Sequence, residues 1–542
     1  MKNACLALTA AWLFLPGVVS ANKISALPHL EKKGTATQLV VNGKPFLILG
    51  GELHNSSSSS LDYMKPIWGK LEKMHLNTVV TPLSWELIEP REGKMDFRIV
   101  DGLIRDARKS NLHLVFLWFG SWKNSMSCYA PEWVKTDFQR FARAQSSDGK
   151  GLEILSPFSK TNCDTDARVF AALMAHLRQI DGQKHTVVMV QVENEIGMIP
   201  EARDHSAVAN ELYSGAVPKE LMDYLEQRKD TLIPEFRTVW EKAGFKNSGT
   251  WEEVFGRGIG TEEIFMAWYF ARYTDRVAVS GKAEYPLPMY VNAALIRPNY
   301  QPGGYPSAGP LPHLMDVWRA GAPHIDFLSP DIYFPNFAEW CEKYHRSGNP
   351  LFIPEMKTDI ANLFYAIGQF DAMGVSPFGI DEEYSAARVP LVEQSYQILS
   401  QLSPLILENE GRGTMAGVWL DESNRTQKVV LGNYTFTVTH EYTWPYSSGF
   451  HQTNGWPRFG GLIISLAPDE YIIAGTGLVV TFASNSPNKP IAGIVSIDEV
   501  NCLNGHWVPG RRLNGDEDHQ GRHLLLAPGE CAVQRVKLYQ YR

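Results

Sequence analysis

Eight short apolar runs constrain this chain more than any other feature. They are residues 46–49, 77–80, 112–118, 186–192, 288–292, 325–329, 350–354 and 375–380, each four to seven residues long and mostly uninterrupted. Strands buried on both faces read this way, because neither face has to carry polar side chains to water. Between the runs lie segments with apolar residues at helical spacing, such as 64–74 and 167–180. Eight buried strands alternating with helices predict an α/β chain folded as a (β/α)8 TIM barrel. A doubly wound open sheet is the rival, and no glycine-rich phosphate fingerprint follows the first run to support its dinucleotide-binding form. The long gap between the fourth and fifth runs reads as an expanded loop region, about 198–265, with helices over one barrel face. After about residue 410 the pattern changes: residues 435–439 and 532–538 alternate, and 462–466 and 477–482 are strand-like. The expected organisation is a barrel over 22–405 and a C-terminal all-β, sandwich-like domain over 406–542. Buttressing the barrel is the favoured role for that second domain, with sugar binding as the other.

The N-terminus reads as a targeting segment. Lys2 precedes an apolar run, residues 4–19, broken only by Thr9, Pro16 and Gly17, and Val19-Ser20-Ala21 supplies a small-residue cleavage site. Cleavage after Ala21 implies an exported protein, periplasmic or extracellular. The run is short for a membrane span, which needs about 20 apolar residues, and no integral membrane association is expected. A formal net charge of -8 argues against a nucleic-acid partner. Removing the signal leaves Cys128, Cys163, Cys341, Cys502 and Cys531, an odd number with no zinc-like spacing. Cys128 with Cys163, and Cys502 with Cys531, are plausible disulfides whose pairing the sequence leaves open. The 15 Trp and 21 Tyr residues are mostly core, with a surplus suited to stacking on sugar rings.

The fourth run ends abruptly in charge: VMVQVENEIG, residues 188–197, places Glu193, Asn194 and Glu195 directly after five buried positions. Burying a carboxylate is costly unless something pairs or neutralises it. In an ideal strand Glu193 and Glu195 point to one side and Asn194 to the other. The seventh run ends in the same manner, IPEMK, with Glu355 its first charged residue. Two carboxylates at the C-terminal ends of two barrel strands face each other across the mouth. Glycoside hydrolysis needs such a pair, one group as acid and the other as nucleophile or base. Separation decides the outcome: roughly 5 to 5.5 Å goes with retention, and roughly 6.5 to 9.5 Å leaves room for a water and goes with inversion.

These motifs resemble those of the glycoside hydrolase family 35 β-galactosidases, which belong to a large retaining clan of (β/α)8 glycosidases. VQVENEIG is similar to the strand-four motif, NTVVTPLSWELIEPREGKMDF to the second-strand block, and FLWFGSWKNS with APEWV to the third-strand block lining the sugar site. The resemblance covers roughly residues 36–385, and RRLNGDEDHQGRHLLLAPGECAVQRVKLYQYR is similar to a C-terminal domain of a bacterial subgroup. It implies that Glu195 is the acid/base, Glu355 the nucleophile, Asn194 the holder of the sugar 2-hydroxyl, and Tyr333 (in SPDIYF) the residue orienting the nucleophile. It implies exo-action on terminal β-galactose of oligosaccharides, with xyloglucan fragments as a candidate substrate, and neither metal nor organic cofactor. The chain departs from the family at GGELHNSS, after the first strand, and at Ser121, where many members carry an acid.

Other candidates lie on the same loops. Glu52 is a sugar-hydroxyl acceptor or an ion-pair partner, and Trp122 a stacking platform or core. Asn124 and Asn292 are expected to face the substrate. Lys123 reads as a solvated loop residue, His54 as a hydrogen-bonded core histidine, and Glu193 as a structural partner for a nearby Arg or Lys. The serine run 56–60 reads as a barrel loop ending in a helix cap. The rival functions are a different retaining exo-β-glycosidase, acting on β-L-arabinopyranosides or β-glucosides, and a non-catalytic carbohydrate-binding protein. Oligomeric state is not legible.

Overall fold

The computed structural model describes residues 26–346, 348–382, 389–440, 458–503 and 506–542. The expected signal segment, residues 1–21, lies outside them.

Eight parallel strands close into a barrel: Ile48–Glu52, Thr78–Ser84, His113–Lys123, Val187–Asn194, Met289–Ala294, Phe327–Ile332, Phe352–Met356 and Gly374–Pro377. The fold class is therefore the one the apolar runs implied, and every run overlaps its strand. The barrel interior is filled by Ile48, Val80, Val115, Leu117, Met189, Tyr290, Phe327 and Phe352, all buried in one cluster. Tyr290 stacks on Phe327 at 5.2 Å and meets Phe352 edge-on. A packed interior of this kind leaves only the rim for chemistry.

The end where the strands begin is covered by a three-stranded antiparallel sheet, His29–Lys33, Ala36–Val41 and Lys44–Phe46, whose Leu39 and Val41 join the interior cluster. Only its middle strand is buried along its length. Its outer strands therefore give no apolar run, and the sequence pattern does not reveal the sheet. Between the fourth and fifth barrel strands lie the helices Ala207–Ser214, Lys219–Gln227, Pro234–Lys242, Trp251–Phe255 and Ile259–Glu284. In the serine run, Ser60 caps the helix Leu61–Lys73 by accepting from the Tyr63 N–H.

The C-terminal strands form a six-stranded and a four-stranded antiparallel sheet. Val418, Ile463 and Val536 from the first share a core with Phe436, Val480 and Leu526 from the second, which makes a sandwich. The larger sheet docks on the barrel helix Ile360–Phe370 through glycines. A Cβ at Gly460 would stand 2.5 Å from the Ala361 Cα, and one at Gly417 would stand 2.7 Å from the Tyr365 carbonyl oxygen. Gly460→Val is therefore expected to destabilise the chain by about 1–3 kcal/mol through overpacking, read as a lower midpoint in thermal melting. Arg458 extends the same contact. Its guanidinium donates to Asp359 Oδ2 at 3.1 Å and to the Pro335 carbonyl at 3.2 Å, and lies over the Trp419 ring. It thus ties the sheet domain to the loops that follow Tyr333 and Glu355.

Disulfides do not staple this fold where the sequence left them open. Cys128, Cys163, Cys341 and Cys531 are free thiols, so neither suggested pair forms. The Cys502 side chain lies outside the described residues.

Candidate active site

The C-terminal ends of the barrel strands bring Glu52, Lys123, Asn194, Asn292, Asp331 and Glu355 to one mouth, with Asn124, Glu195 and Tyr333 on the residues that follow. Glu195, Asp331 and Glu355 are all buried, and each offers a carboxylate oxygen within 4.8 Å of the others. A pocket of about 670 Å³ opens onto them, walled by Asn124, Pro200, Arg297, Tyr305, Tyr333 and Phe334.

The local backbone explains how a buried strand delivers its acids. Glu193 and Glu195 take left-handed conformations, with φ of 61° and 44°. Non-glycine residues rarely adopt this region, and it concentrates at functional sites. The strand alternation therefore breaks, and Glu193 and Glu195 do not share a side. Glu193 Oε2 accepts from the Trp122 N–H at 2.8 Å. Its carboxyl is pushed well up by burial and then by neighbouring Asp166. The expected Arg or Lys partner is absent among the described residues. Asp166 in turn accepts from Trp118 Nε1 and from the Ser121 hydroxyl. Glu193 thus belongs to an acid pair behind the mouth.

Glu195 is held from two directions. Its backbone N–H donates to Asn292 Oδ1 at 2.8 Å, and its Oε2 accepts from Asn124 Nδ2. Asn292 Nδ2 donates to Asp331 Oδ2 at 2.6 Å, which links Glu195 to a third acid. Glu355 Oε1 accepts from the Tyr333 hydroxyl. The Glu355 carboxyl is pushed up to about 7 by burial and by Glu195, against the opposing pull of Lys123, Tyr333 and Glu52. Glu52 and Asp331 are driven up further, both by burial first. Crowded, desolvated carboxyls must share protons, so their titrations belong to the group and not to single residues.

Several polar atoms have no partner in the protein. Both amide atoms of Asn194, Glu52 Oε1, Asp331 Oδ1 and Glu355 Oε2 are buried and without a hydrogen bond. Buried polar atoms are nearly always satisfied, so a group of orphans at one mouth marks where a polar ligand sits. Sugar hydroxyls, which donate and accept, match both carboxylate and amide orphans.

Trp122 requires a correction. It is fully buried, with its indole N–H donating to the Leu155 carbonyl and its ring edge-on to Phe270. Strand residues alternate faces, and this one packs under the helices, so it is core and no stacking platform. His54 is hydrogen-bonded to Asp381 at 3.0 Å. The sequence reading missed two residues. Asp331 is a carboxylate closing an apolar run, the same signal that singled out Glu355. Lys123 reads as a loop residue, yet it is only 6% exposed. The three clustered oxygens are close enough for a cation to bridge. Lys123 already sets a positive charge beside them.

The Tyr333 bond has a measurable consequence. It favours ionised Glu355, so its loss raises the carboxyl further. Tyr333→Phe is expected to move the acid limb of kcat/KM to higher pH and to lower kcat about 10- to 100-fold, read from a pH–rate profile.

Comparison with known proteins agrees with the motifs. Residues 38–231 match the model of glycosyl hydrolases family 35, and residues 392–525 match a domain of unknown function, DUF5597. The first match takes in Glu52, Asn124, Asn194 and Glu195, and ends before Asn292, Tyr333 and Glu355. A β-galactosidase of Xanthomonas manihotis is 27% identical over 183 residues, 32% of this chain and 27% of that protein, so the match spans about a quarter of the relative's length. Among solved structures, the GH42 β-galactosidase Gan42B of G. stearothermophilus superposes with a TM-score of 0.50 at 11% identity, covering 94% of this chain and 100% of that one. A β-galactosidase from Bacillus circulans sp. alkalophilus superposes with a TM-score of 0.44 at 14% identity, covering 67% of this chain and 57% of that one. At 11% identity the likeness to Gan42B bears on the fold alone. The segment that carries the strand-four motif is thus similar to glycosyl hydrolases family 35, and a segment similar to DUF5597 follows it.

Proposed function

We propose that the protein is an exo-acting, retaining β-galactosidase that removes terminal β-D-galactose from oligosaccharides. The observation that carries this reading is the approach of Glu195 and Glu355, one carboxylate oxygen of each lying within 4.8 Å of the other. So close an approach favours double displacement over a mechanism that holds a water between its acids. A walled pocket of about 670 Å³ favours action on chain ends.

In the first step Glu355 attacks the anomeric carbon as Glu195 protonates the departing oxygen, leaving a glycosyl-enzyme. In the second, Glu195 takes a proton from water, which attacks the same carbon from the opened face and releases the sugar with its configuration kept. Asn292 and Asn124 fix the Glu195 backbone and carboxyl, and Tyr333 steadies the nucleophile. The Asn194 amide, unpartnered and buried, is assigned to the 2-hydroxyl. Glu52 takes another hydroxyl.

Galactose-bearing fragments of plant cell-wall xyloglucan are the proposed natural substrate, met outside the cytoplasm by way of the N-terminal targeting segment. The test is a panel of 4-nitrophenyl glycosides. Turnover of the β-D-galactoside above the β-L-arabinopyranoside and β-glucoside supports the assignment, and preference for either of the others replaces galactose. Absence of turnover on every member leaves a carbohydrate-binding protein.

The working form keeps one proton between Glu195 and Glu355. Glu355 attacks as the carboxylate, so with its carboxyl pushed up to about 7, activity is expected to fall as pH drops below about 7, which sets the acid limb of a kcat/KM profile.

A further inference from the structure

Lys123 ends the third barrel strand and is 6% exposed. Its ammonium stays charged because Glu195, Glu355, Glu52 and Asp331 together outweigh the cost of burial. Yet it makes no ion pair or side-chain hydrogen bond among the described residues, and the ring nearest to it is Phe119, 5.5 Å away. A lysine this buried, its ammonium without a protein acceptor, is costly, since buried charges in proteins are normally paired and bonded. The orphaned acceptors around it, Glu52 Oε1 and Asp331 Oδ1, have the opposite need. A carboxylate and an ammonium held near each other but apart leave room for a group that accepts from one and donates to the other. A sugar hydroxyl does both.

We infer that Lys123 is a sugar-contacting, specificity-determining residue of the glycon pocket, its ammonium donating to a ring hydroxyl that in turn donates to Glu52. This rests on the glycosidase reading above and goes beyond it: Lys123 stands in the third-strand block FLWFGSWKNS, for which the resemblance implies a place along the sugar site but no role for this lysine. The bridging hydroxyl spans strands one and three, on the side of the mouth away from Asn292 and Asp331 on strands five and six. The lysine's charge also favours the ionised forms of Glu355 and Glu52, so one side chain both selects the sugar and tunes the acids.

The experiment compares 4-nitrophenyl β-D-galactopyranoside with its 2-, 3-, 4- and 6-deoxy analogues, using wild type, Lys123→Met and Lys123→Gln. In wild type, removing the bridging hydroxyl is expected to lower kcat/KM by about 30-fold or more, since a site built around a hydroxyl is left with unpaired polar groups. Lys123→Met is expected to lose a similar factor on the parent sugar and to show almost no further loss at that one position. It keeps the full penalties at the other three. Lys123→Gln, a donor without the charge, retains part of the discrimination. In both variants the limbs of the pH–rate profile move to higher pH, because the acids lose the positive charge that favours their ionised forms. Thermal melting checks that each variant is folded.

Full penalties at all four positions in a folded Lys123→Met overturn the inference, as does activity near wild type on the parent. If wild type prefers another glycoside, the galactose assignment fails, and the deoxy series of that sugar tests Lys123 in the same way. If nothing turns over, calorimetric binding of galactose and its deoxy analogues replaces kcat/KM, with the same pattern expected.

Discussion

Glu355→Gln is expected to lower kcat on 4-nitrophenyl β-D-galactopyranoside by about 10⁴-fold or more, as nucleophile removal does elsewhere, while raising the thermal midpoint. The two effects have one origin. Glu355 is buried among Glu52, Glu195 and Asp331, and burial together with Glu195 pushes its carboxyl up to about 7. In the unfolded chain it titrates near its ordinary value of 4.5. A carboxyl raised by folding prefers to be protonated in the native state. Its native state is therefore unpenalised below the unfolded value, loses stability as pH rises between the two values, and carries the full penalty above the folded one. At pH 7.5 wild type bears that cost, and a neutral amide of the same shape does not. The midpoint of Glu355→Gln is expected to exceed wild type by ~2 °C or more at pH 7.5, with the difference vanishing below pH 4.5. The amide oxygen still accepts from Tyr333, so the pocket keeps its shape. A variant with wild-type turnover would remove Glu355 from the chemistry. A variant that is inactive but no more stable at pH 7.5 would mean that the crowding is relieved by Lys123 and not stored in the fold.

Much of this site was legible because burial and charge collide in the sequence. A barrel strand is apolar along its length, so the first acid after an apolar run stands at the rim. That logic finds Glu355 and narrows the fourth strand to Glu193 and Glu195, between which only the resemblance chooses, and applied evenly it also finds Asp331. It fails for Lys123, since a lysine after an apolar run reads as exposed, and only the four acids of other strands give it a reason to be buried. It fails for Trp122 because tryptophan serves core and sugar platform alike, and the choice depends on the packing of Phe270 and Leu155. The direction of Glu193 was hidden by two left-handed residues that no alternation rule anticipates. At the fold level the barrel and the C-terminal strands are visible through periodicity. The N-terminal sheet is not, because its outer strands are exposed. The glycines docking the sandwich on Ile360–Phe370 show their purpose only beside Ala361 and Tyr365.

Glu195→Ala is expected to separate the two chemical steps by leaving group. Protonation matters most when the departing oxygen is a poor leaving group, as it is in lactose, and kcat/KM on lactose should fall about 10³-fold. Nitrophenolate leaves readily, so the glycosyl-enzyme still forms from 4-nitrophenyl β-D-galactopyranoside, and the deficit moves to the second step, where no base activates water. The intermediate accumulates, kcat falls, and a burst of nitrophenol precedes a slow steady state. Azide needs no general base. Removing the carboxylate also opens space beside Asn124, whose amide loses its acceptor, and takes away a negative charge that would repel an anion. Added azide should therefore restore kcat and divert the product to β-galactosyl azide, with configuration retained because Glu355 has already inverted the centre once. An α-azide would mean direct displacement and an inverting mechanism, and would overturn the retaining reading drawn from the close approach of Glu195 and Glu355. No rescue, together with an equal loss on lactose and on the nitrophenyl substrate, would move the acid/base role from Glu195 to a neighbour, and Asp331, linked to it through Asn292, would be the next residue to replace.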